Sequence, residues 1–355
     1  MIILSLQFVL LIKMHKLNFI NNMCEKNNID YINNFKIEKK SWLKAGGIIN
    51  NFILPKNKSE LKTVIEFFVN EKQKFLVIGN FSNVIMRDGV ITTPVINFNL
   101  MNELKHKFEG GNLLIEADAG VSIPRISKHV IKLGYTGMEG LLGIPGSIGG
   151  GIFMNASSYG SSLSEFLIKV EVMDMSGKVK IFSKNEIKFS WRKSIFQSNK
   201  LIILKSYFKI QEKNYKGTSY TQQKAKEIFT HRAKFQENDL PNLGSLFATK
   251  NIYKDLSKVS FIFYIMYLLN KIFSFIFFNF AKKYIYNYRR IMIKFYSKLL
   301  GLNKFQNFGV SDKTLNCLVN NGSSKANEAI KLIKFLEKKI NYKILLENVI
   351  IENIE

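Results

Sequence analysis

The most informative stretch of this 355-residue chain reads Gly143-Ile-Pro-Gly-Ser-Ile-Gly-Gly-Gly-Ile-Phe-Met-Asn-Ala-Ser-Ser-Tyr-Gly160. Five of its first nine residues are glycine and one is proline. Because glycine lacks a Cβ atom, such a backbone can approach a ligand closely, and its successive N–H groups can form an anion-binding nest. The stretch therefore indicates a loop for a phosphorylated ligand, but taken alone it is also compatible with a tight turn that binds nothing.

A second candidate loop, Ile78-Gly-Asn-Phe-Ser-Asn83, directly follows an apolar run. A strand followed by glycine and then Ser-Asn is a suitable place for a pyrophosphate group. The loop does not match the G-x-G-x-x-G fingerprint, so a Rossmann-type dinucleotide site is not predicted. Together the two loops favour a large phosphorylated cofactor.

Outside these loops, the apolar pattern predicts clustered strands and a few helices. Alternating or continuous apolar runs predict strands at residues 51–55, 74–79, 94–98, 112–117, 169–175, 178–182 and 201–210. Helical spacing predicts helices at 59–71 (with Ser59 as the N-cap), 123–133, 221–235 and 326–340. Residues 24–40 show no clear pattern. Strands in clusters, without regular βαβ alternation, predict an α+β fold.

Composition narrows the class of protein. With 46% hydrophobic residues the chain can bury the cores of two or three packed units. Two cysteines, Cys24 and Cys317, exclude a disulfide framework and a four-cysteine zinc site, and four histidines argue against a histidine-rich metal centre. The net charge of +25 would attract phosphates, nucleic acid or an anionic membrane. AT-rich coding explains the abundant lysine equally well, and no nucleic-acid motif accompanies the charge, so no nucleic-acid partner is predicted.

Two apolar runs bear on membranes. The run at residues 1–12 is about half the length of a bilayer span, and it lacks the basic start and small-residue cleavage site of a signal peptide. The run at 259–281 is longer, and the stretch from Lys258 to Lys304 contains nine basic residues and no acidic one. Because Lys271 would be costly in hydrocarbon, an interfacial helix with basic flanks is expected, with a membrane span and a self-packed helix pair as alternatives. We expect a cytoplasmic protein that attaches to an anionic membrane surface through residues 258–304.

Five motifs, in order, resemble those of UDP-N-acetylenolpyruvoylglucosamine reductases, flavoenzymes of bacterial cell-wall (peptidoglycan) synthesis. The resemblance runs from about residue 41 to the C-terminus, apart from the basic apolar block. The motifs are Gly79-Asn-Phe-Ser-Asn83, Gly143 to Gly160, Trp191-Arg-Lys-Ser194, Gly244-Ser-Leu-Phe247, and Val310-Ser-Asp-Lys313 followed by Asn320-Asn-Gly322.

The resemblance implies a two-part FAD-binding domain of the vanillyl-alcohol-oxidase (PCMH) type, at residues 41–100 and 101–212. It also implies an α+β substrate-binding domain at 213–355, which carries a helical insertion at about 251–304. Residues 1–40 would form an N-terminal extension. The implied reaction is reduction of the enolpyruvyl group of a UDP-sugar by NADPH through bound FAD, giving UDP-N-acetylmuramate. The oligomeric state is left open.

The resemblance also assigns roles to residues. Arg192 would stabilise the negative charge that develops on the substrate, Ser245 would donate a proton with help from a neighbour, and Glu347 would be the third catalytic residue. No metal site is implied. The FAD contacts would come from Gly79, Asn80, Phe81, Ser82, Asn83, Ala119, Gly120, Gly143, Pro145, Gly146, Ser147, Gly149, Gly150, Asn155, Tyr159 and Arg192.

Departures from the family pattern concentrate on the substrate side. An ungapped match places Asn348, not Glu347, at the C-terminal catalytic position, and a shift of one residue in a strand turns the side chain to the other face. Thr249 stands where the family has the asparagine that faces the substrate diphosphate, and Asn80 and Phe81 replace two glycines of the flavin loop. These departures keep two alternatives open: a paralogous FAD-dependent oxidoreductase for a different nucleotide sugar, and a non-enzymatic flavin- or membrane-binding protein.

Overall fold

Helices and strands are clustered along the chain much as the apolar pattern predicts. The computed structural model describes residues 18–280 and 284–352. The apolar run at 1–12 and the basic pair Lys282-Lys283 lie outside these ranges. The strands, in chain order, are β1 (Asp30–Lys36), β2 (Ile48–Leu54), β3 (Leu76–Val77), β4 (Val84–Met86), β5 (Val90–Ile91), β6 (Val95–Ile96), β7 (Leu104–Glu109), β8 (Asn112–Asp118), β9 (Ser157–Ser158), β10 (Ser161–Ser162), β11 (Leu167–Asp174), β12 (Val179–Ser183), β13 (Leu201–Ile210), β14 (Asn242–Ser245), β15 (Phe308–Val310), β16 (Cys317–Asn320) and β17 (Val349–Ile351). The helices are α1 (residues 18–26), α2 (Lys58–Asn70), α3 (Ile123–Lys132), α4 (Ile148–Phe153), α5 (Leu163–Phe166), α6 (Thr218–Phe235), α7 (Ile252–Leu256), α8 (Phe261–Phe280), α9 (Ile285–Leu300) and α10 (Ala326–Lys339).

The first sheet has the strand order β1-β2-β6-β3, with β5 also paired to β2. β1 lies antiparallel to β2, whereas β5 and β6 run parallel to it. α1 and β1 come from the predicted terminal extension, but Met23 and Cys24 are buried in the main core and β1 pairs along β2. Residues 18–40 therefore belong structurally to the first sheet and its core, because they bury apolar side chains there. The sequence did not predict this, since residues 24–40 show no clear apolar pattern.

α2 begins one residue earlier than expected, and its N-cap is Asn57 instead of Ser59. The Asn57 side chain accepts a hydrogen bond from the Glu60 N–H at 3.0 Å and donates from Nδ2 to Glu60 Oε1 at 2.7 Å. This reciprocal arrangement satisfies a free N–H at the helix start. The prediction of Ser59 as cap was wrong because asparagine two residues earlier competes for the same N–H groups.

The second sheet is antiparallel throughout, in the order β12-β11-β13-β8-β7. Its inner strands bury alternating or continuous apolar residues against α3 and α4. The predicted strands at 112–117, 169–175 and 201–210 are confirmed to within two residues. α6 packs on this half as well, since the Thr221 hydroxyl donates to the carbonyl of Ile131 at 2.8 Å.

A third unit contains the sheet β14-β16-β15 and α10. Its core also takes up Leu43, Ala45 and Ile85 of the first unit. β17 leaves this unit and pairs in parallel with β4, so Val349 lies opposite Val84. The last described strand thus belongs to the neighbourhood of the loop at 79–83.

The region predicted as a helical insertion is helical, with α7 followed by the hairpin of α8 and α9. α9 buries Tyr288, Met292 and Tyr296 in the third unit's core. In α8, Phe263 is buried whereas residues such as Phe261 are largely exposed. Among the helices in the described ranges, none has the length and apolarity required to cross a bilayer.

Candidate functional site

The structure brings the two glycine-bearing loops into contact. A β-carbon placed on Gly79 would lie 2.6 Å from Ser147 Oγ, and one placed on Gly146 would lie 3.7 Å from Ser82 Oγ. The loops open onto a cleft of about 490 Å³. The cleft is lined by Phe35, Lys40, Trp42, Gly79, Asn80, Phe81, Asn99, Ser122, Pro124 and Pro145.

The loop from Gly79 to Asn83 has the features of an anion nest. Within the described residues, none of its five backbone N–H groups donates a hydrogen bond to the protein. Phe81, which replaces a family glycine, has φ of +51°, in the left-handed region that glycine adopts without cost. Consecutive free N–H groups around a left-handed residue are suited to a phosphate oxygen.

Two of the predicted cofactor-binding glycines are required by the protein's own packing. The Gly149 N–H donates to the Ala119 carbonyl at 2.9 Å, and a β-carbon on Gly149 would lie 3.0 Å from the Ala119 Cβ. A β-carbon on Gly120 would lie 1.8 Å from the Phe98 carbonyl oxygen. Close approach of backbone to backbone therefore explains Gly120 and Gly149 before any ligand is considered. Gly150 is exposed, and a β-carbon there would lie 3.4 Å from Ser147 Oγ, an ordinary van der Waals contact.

Ser147 and Ser122 begin the two helices that border the cleft. Each hydroxyl accepts from a backbone N–H three residues later, Ser147 from Gly150 and Ser122 from Arg125, both at 3.3 Å. α3 thus presents its N-terminal turn to the cleft, where a helix dipole favours negative charge. Ser122 was not predicted, because a serine before Ile123 reads simply as a helix cap.

Arg232 of α6 holds the glycine-rich loop and was also missed by sequence reasoning. Its guanidinium donates to the carbonyls of Gly143 and Gly140 at 2.8 Å each and to Ser158 Oγ at 2.7 Å. It lies over the Tyr159 ring, 4.9 Å from the centroid. Burial lowers the pKa of Arg232 below its ordinary value. No local sequence signal indicates this role, because the partners are about 75 to 90 residues away in the chain.

Four predicted site residues other than glycine have left-handed backbones. The φ angles are +51° at Phe81, +47° at Asn155, +48° at Tyr159 and +56° at Arg192. Such conformations cost of order 1–3 kcal/mol each and persist where the surroundings hold them. Their concentration in the predicted site is the pattern expected of a binding or catalytic centre.

Asn155 provides a test of whether a flavin fits. Its Nδ2 donates to the Ser190 carbonyl at 2.8 Å, which fixes the amide, while Oδ1 is buried with no hydrogen-bond partner in the described part of the chain. A buried acceptor without a donor is costly. A ligand N–H group, such as those of a flavin ring, would satisfy it, so the residues present fit the group that the resemblance implies.

Arg192 and Glu347, about 150 positions apart, form an ion pair. Arg192 Nε lies 2.8 Å from Glu347 Oε1, and the two side chains are 19% and 13% exposed. Arg192 Nη1 also lies 3.4 Å from the carbonyl and the hydroxyl oxygens of Ser157. Burial raises the pKa of Glu347, and Arg192 partly opposes that shift. The pair combines a fixed cation with a carboxyl group that holds its proton to a higher pH than usual.

Asn348 points the other way. Its Nδ2 lies 2.8 Å from Asn83 Oδ1, with the carbonyls of Ser245 and Leu243 at 3.3 and 3.4 Å. In the register of the structure, Glu347 therefore faces Arg192, whereas Asn348 is buried between the flavin loop and β14. The catalytic assignment of Glu347 stays a prediction, and this geometry supports it over Asn348.

Ser245 ends β14 beside the same segment. It is exposed and follows Gly244, whose φ is +72°. The Glu347 N–H donates to the Leu246 carbonyl at 2.8 Å, and Asn83 Nδ2 donates to the Glu347 carbonyl at 3.1 Å. The backbone thus brings the predicted catalytic residues and the flavin loop to one place.

A second cleft, of about 340 Å³, lies next to Trp191. Thr249 lines it and donates a hydrogen bond to the Asp255 carboxylate. The hydrogen bond from Lys258, and after it the one from Thr249, lower the pKa of Asp255. Lys250 Nζ lies 5.5 Å from the Trp191 ring centroid. The full lining is Trp191, Ala248, Thr249, Lys250, Asn251, Lys254, Asp255 and Lys258. Four residues of this cleft carry charge, and three of them are lysines. Within the residues the structure describes, no group of His, Cys, Asp or Glu is arranged to hold a metal ion.

Comparison with known proteins identifies the class of protein. The family described as FAD binding domain matches residues 49–183, which include both loops at the first cleft. The fold and this site thus define a protein with an FAD-binding domain. UDP-N-acetylenolpyruvoylglucosamine reductase of Streptococcus mutans serotype c is 32% identical over 231 residues, which cover 65% of this chain and 72% of that relative. The Streptococcus pyogenes serotype M49 enzyme of the same name is 31% identical over 223 residues, 63% of this chain and 73% of that one.

The chain belongs to the UDP-N-acetylenolpyruvoylglucosamine reductase family. The fold agrees, since a solved structure of that name from Thermus caldophilus superposes with a TM-score of 0.62 at 18% identity, over 91% of this chain and 98% of that one. The resemblance predicted from the five motifs is confirmed, and so is the α+β fold with an FAD-binding part.

Proposed function

We propose that this protein reduces the enolpyruvyl group of UDP-N-acetylglucosamine enolpyruvate to give UDP-N-acetylmuramate, with NADPH as electron donor. The observation that carries the proposal is the convergence of Arg192, Glu347 and Ser245. They lie between the first cleft, at the two glycine-bearing loops, and the second cleft, which is lined by three lysines. Bound FAD would supply hydride chemistry, taking a hydride from NADPH and passing it to the substrate. Its pyrophosphate would be held by the loop at 79–83 and the start of α3.

The protein's own residues would handle charge and protons. Arg192 would stabilise the negative charge that develops beside the substrate carboxylate as the double bond is reduced. Ser245 would protonate the substrate carbon, and its exposure at the end of β14 lets it reach a ligand. A serine hydroxyl is a weak acid, and Glu347, whose pKa burial raises, is the nearby group suited to assist it.

We further propose that residues 41–100 and 101–212 are the two parts of the FAD-binding domain and that 213–355 form the substrate-binding domain. α6 is the exception to this division, because its packing on α3 joins residues 218–235 to the FAD-binding part, so we move the start of the substrate-binding domain from residue 213 to residue 236. We also propose that the protein works in the cytoplasm, next to an anionic membrane surface.

A first experiment tests cofactor and substrate in turn. Purified protein should be yellow and release FAD on denaturation. NADPH oxidation should be slow alone and accelerate on addition of the enolpyruvyl UDP-sugar. Bound FAD with no acceleration by that sugar would instead favour a paralogue acting on another nucleotide sugar. The hydrogen bond from Thr249 to Asp255 is the observation that favours this second candidate.

A further inference from the structure

The helix α8 exposes apolar side chains on its outward side, although its inward side, with the buried Phe263, is largely apolar as well. Asn270 and Ser274 lie on the side facing α9, where the Tyr288 hydroxyl donates to Asn270 Oδ1 at 2.6 Å and Ser274 Oγ donates to Asn270 Oδ1 at 3.3 Å. A helix on a water-exposed surface normally turns polar side chains to the solvent and keeps its apolar side chains on the core side. The outward side of α8 is therefore built to contact something apolar.

A continuous apolar stripe runs along this outward side. Phe261, Ile265, Leu268 and Ile272 follow the spacing of one helix face, and they are 74%, 41%, 41% and 56% exposed. Single exposed apolar residues are ordinary, but a contiguous patch of this extent marks an interaction site. Lys271 is the one charged residue within α8, and its stem is long enough to carry the ammonium group out to the edge of the patch.

The second helix of the hairpin carries exposed basic residues. Lys294 and Lys298 are exposed at i and i+4 on α9, and neither forms an ion pair within the described residues. Arg290 on the same helix is neutralised by Asp312 at 2.8 Å. The sequence from Lys258 to Lys304 has no acidic residue that could offset the charge. The hairpin thus combines an apolar face with unbalanced positive charge.

We propose that the α8–α9 hairpin is an interfacial anchor whose outward face lies in an anionic lipid surface. This takes up the membrane attachment proposed above and names the element, the face and the lipid charge that produce it. The apolar stripe enters the boundary of the acyl chains and the lysines meet the headgroups, the combination typical of helices that lie in the membrane plane.

A second copy of the chain is the competing occupant. Pairing two identical hairpins would bring two molecules of net charge +25 together, and like charges at close range are unfavourable. Anionic lipid offers apolar contact and charge complementarity at once, and for that reason we favour it.

The hairpin directly follows α7, a helix that lines the second cleft, next to Trp191. α7, which supplies Lys254 and Asp255 to that cleft, ends five residues before α8 begins. The Lys343 ammonium donates to the carbonyl of Lys258 at 3.0 Å, which fixes the junction to the third unit. Anchoring would therefore hold the mouth of this cleft beside the lipid surface.

Vesicle flotation of the full-length, flavin-loaded protein tests the anchor separately from catalysis. We expect no flotation with phosphatidylcholine vesicles and increasing flotation as phosphatidylglycerol is added, with salt weakening it. Ile265→Asp with Ile272→Asp should abolish flotation. Val179→Asp with Ile181→Asp, at exposed apolar positions on β12, is the matched control and should float like wild type.

The charge requirement is tested by Lys294→Ala with Lys298→Ala. Partitioning should weaken roughly 25-fold, about fivefold per lysine, while Lys331→Ala with Lys338→Ala on α10 should have little effect. Flavin content and circular dichroism of each variant report folding. Equal flotation of wild type and the α8 variant would overturn the proposal. So would a dimer in light scattering that the α8 variant converts to a monomer, with no flotation of either.

Discussion

Phe81 shows how one residue meets two conflicting demands. Its backbone is left-handed, where the family motif has glycine, yet its ring is buried and stacks at 5.9 Å from Phe35 and lies 6.1 Å from Phe52. Burial of an aromatic side chain stabilises by about 2 kcal/mol or more, which offsets a left-handed cost of similar size. The replacement of a family glycine by Phe81 in the flavin loop is thus compensated by local packing.

The catalytic residues can be separated by half-reaction. Arg192→Ala or Ser245→Ala should leave reduction of the flavin by NADPH unchanged and slow its reoxidation by substrate by about 10²–10⁴-fold, since charge stabilisation and the proton act only on the substrate. Stopped-flow absorbance follows both steps. Lys193→Ala, an exposed neighbour of Arg192, is the control. Unchanged reoxidation in both variants would remove the assignment.

Glu347 should make stability depend on pH. Because burial places its pKa in the folded protein above that of the unfolded chain, about 4.3, folding favours the protonated form. Its contribution to the free energy of unfolding is fully present below the unfolded value and is lost as pH rises through the folded value. Glu347→Gln cannot ionise, so the stability of wild type relative to this variant should fall as pH rises.

Urea denaturation of wild type and Glu347→Gln at a series of pH values measures this difference. Glu71→Gln, the same substitution at an exposed position on the end of α2, is the control. A difference that rises with pH would mean that Arg192 outweighs burial and that Glu347 is an ordinary ion-pair partner.

At the scale of elements, the sequence was sufficient to predict those helices, strands and loops that depend on residues close together in the chain. The glycine-dense loop, α3, β13 and α10 follow from periodicity and glycine content. Longer-range features did not, since α1 and β1 depend on partners in β2 and the core, and Arg232 depends on carbonyls of a distant loop. The order of Glu347 and Asn348 relative to Arg192 was likewise open, because it is set by the pairing of β17 with β4.

The loop held by Arg232 gives a prediction at this scale. Arg232→Ala should reduce flavin occupancy, because it removes three hydrogen bonds from a charged donor, each worth about 1.5–3 kcal/mol, and frees the segment from Gly140 to Ser158. The ratio of flavin to protein absorbance measures occupancy. Lys234→Ala, two residues along the same helix, is the control. Full occupancy in Arg232→Ala would show that the loop keeps its shape unaided.

The whole molecule is tied together by contacts between the flavin loop and the last described strand. Asn83 bonds the Glu347 carbonyl, the Val349 N–H donates to the Asn83 carbonyl at 2.9 Å, and Asn348 bonds Asn83 Oδ1. Flavin site and substrate side are therefore completed by one segment. A mutation in this segment should therefore affect both flavin binding and reduction of the substrate.

Asn348→Ala tests this connection. Loss of the amide removes the donor to Asn83 Oδ1 in a partly buried hydrogen bond, which is worth about 0.5–1.5 kcal/mol, so flavin affinity and substrate-dependent reoxidation should both decline. Asn321→Ala, which removes an exposed amide bond to the Gln306 carbonyl, is the control. A variant that loses only reoxidation would contradict the shared role.

The same contacts have a consequence for biosynthesis. The two partners Asn83 and Glu347 are separated by 264 positions, and a ribosome adds roughly 5–20 residues per second. The loop at 79–83 must therefore wait more than ten seconds after its own emergence for the strand that completes it. We expect stable capture of the cofactor to follow the synthesis of residues 345–352, so stalled nascent chains lacking these residues should retain little flavin.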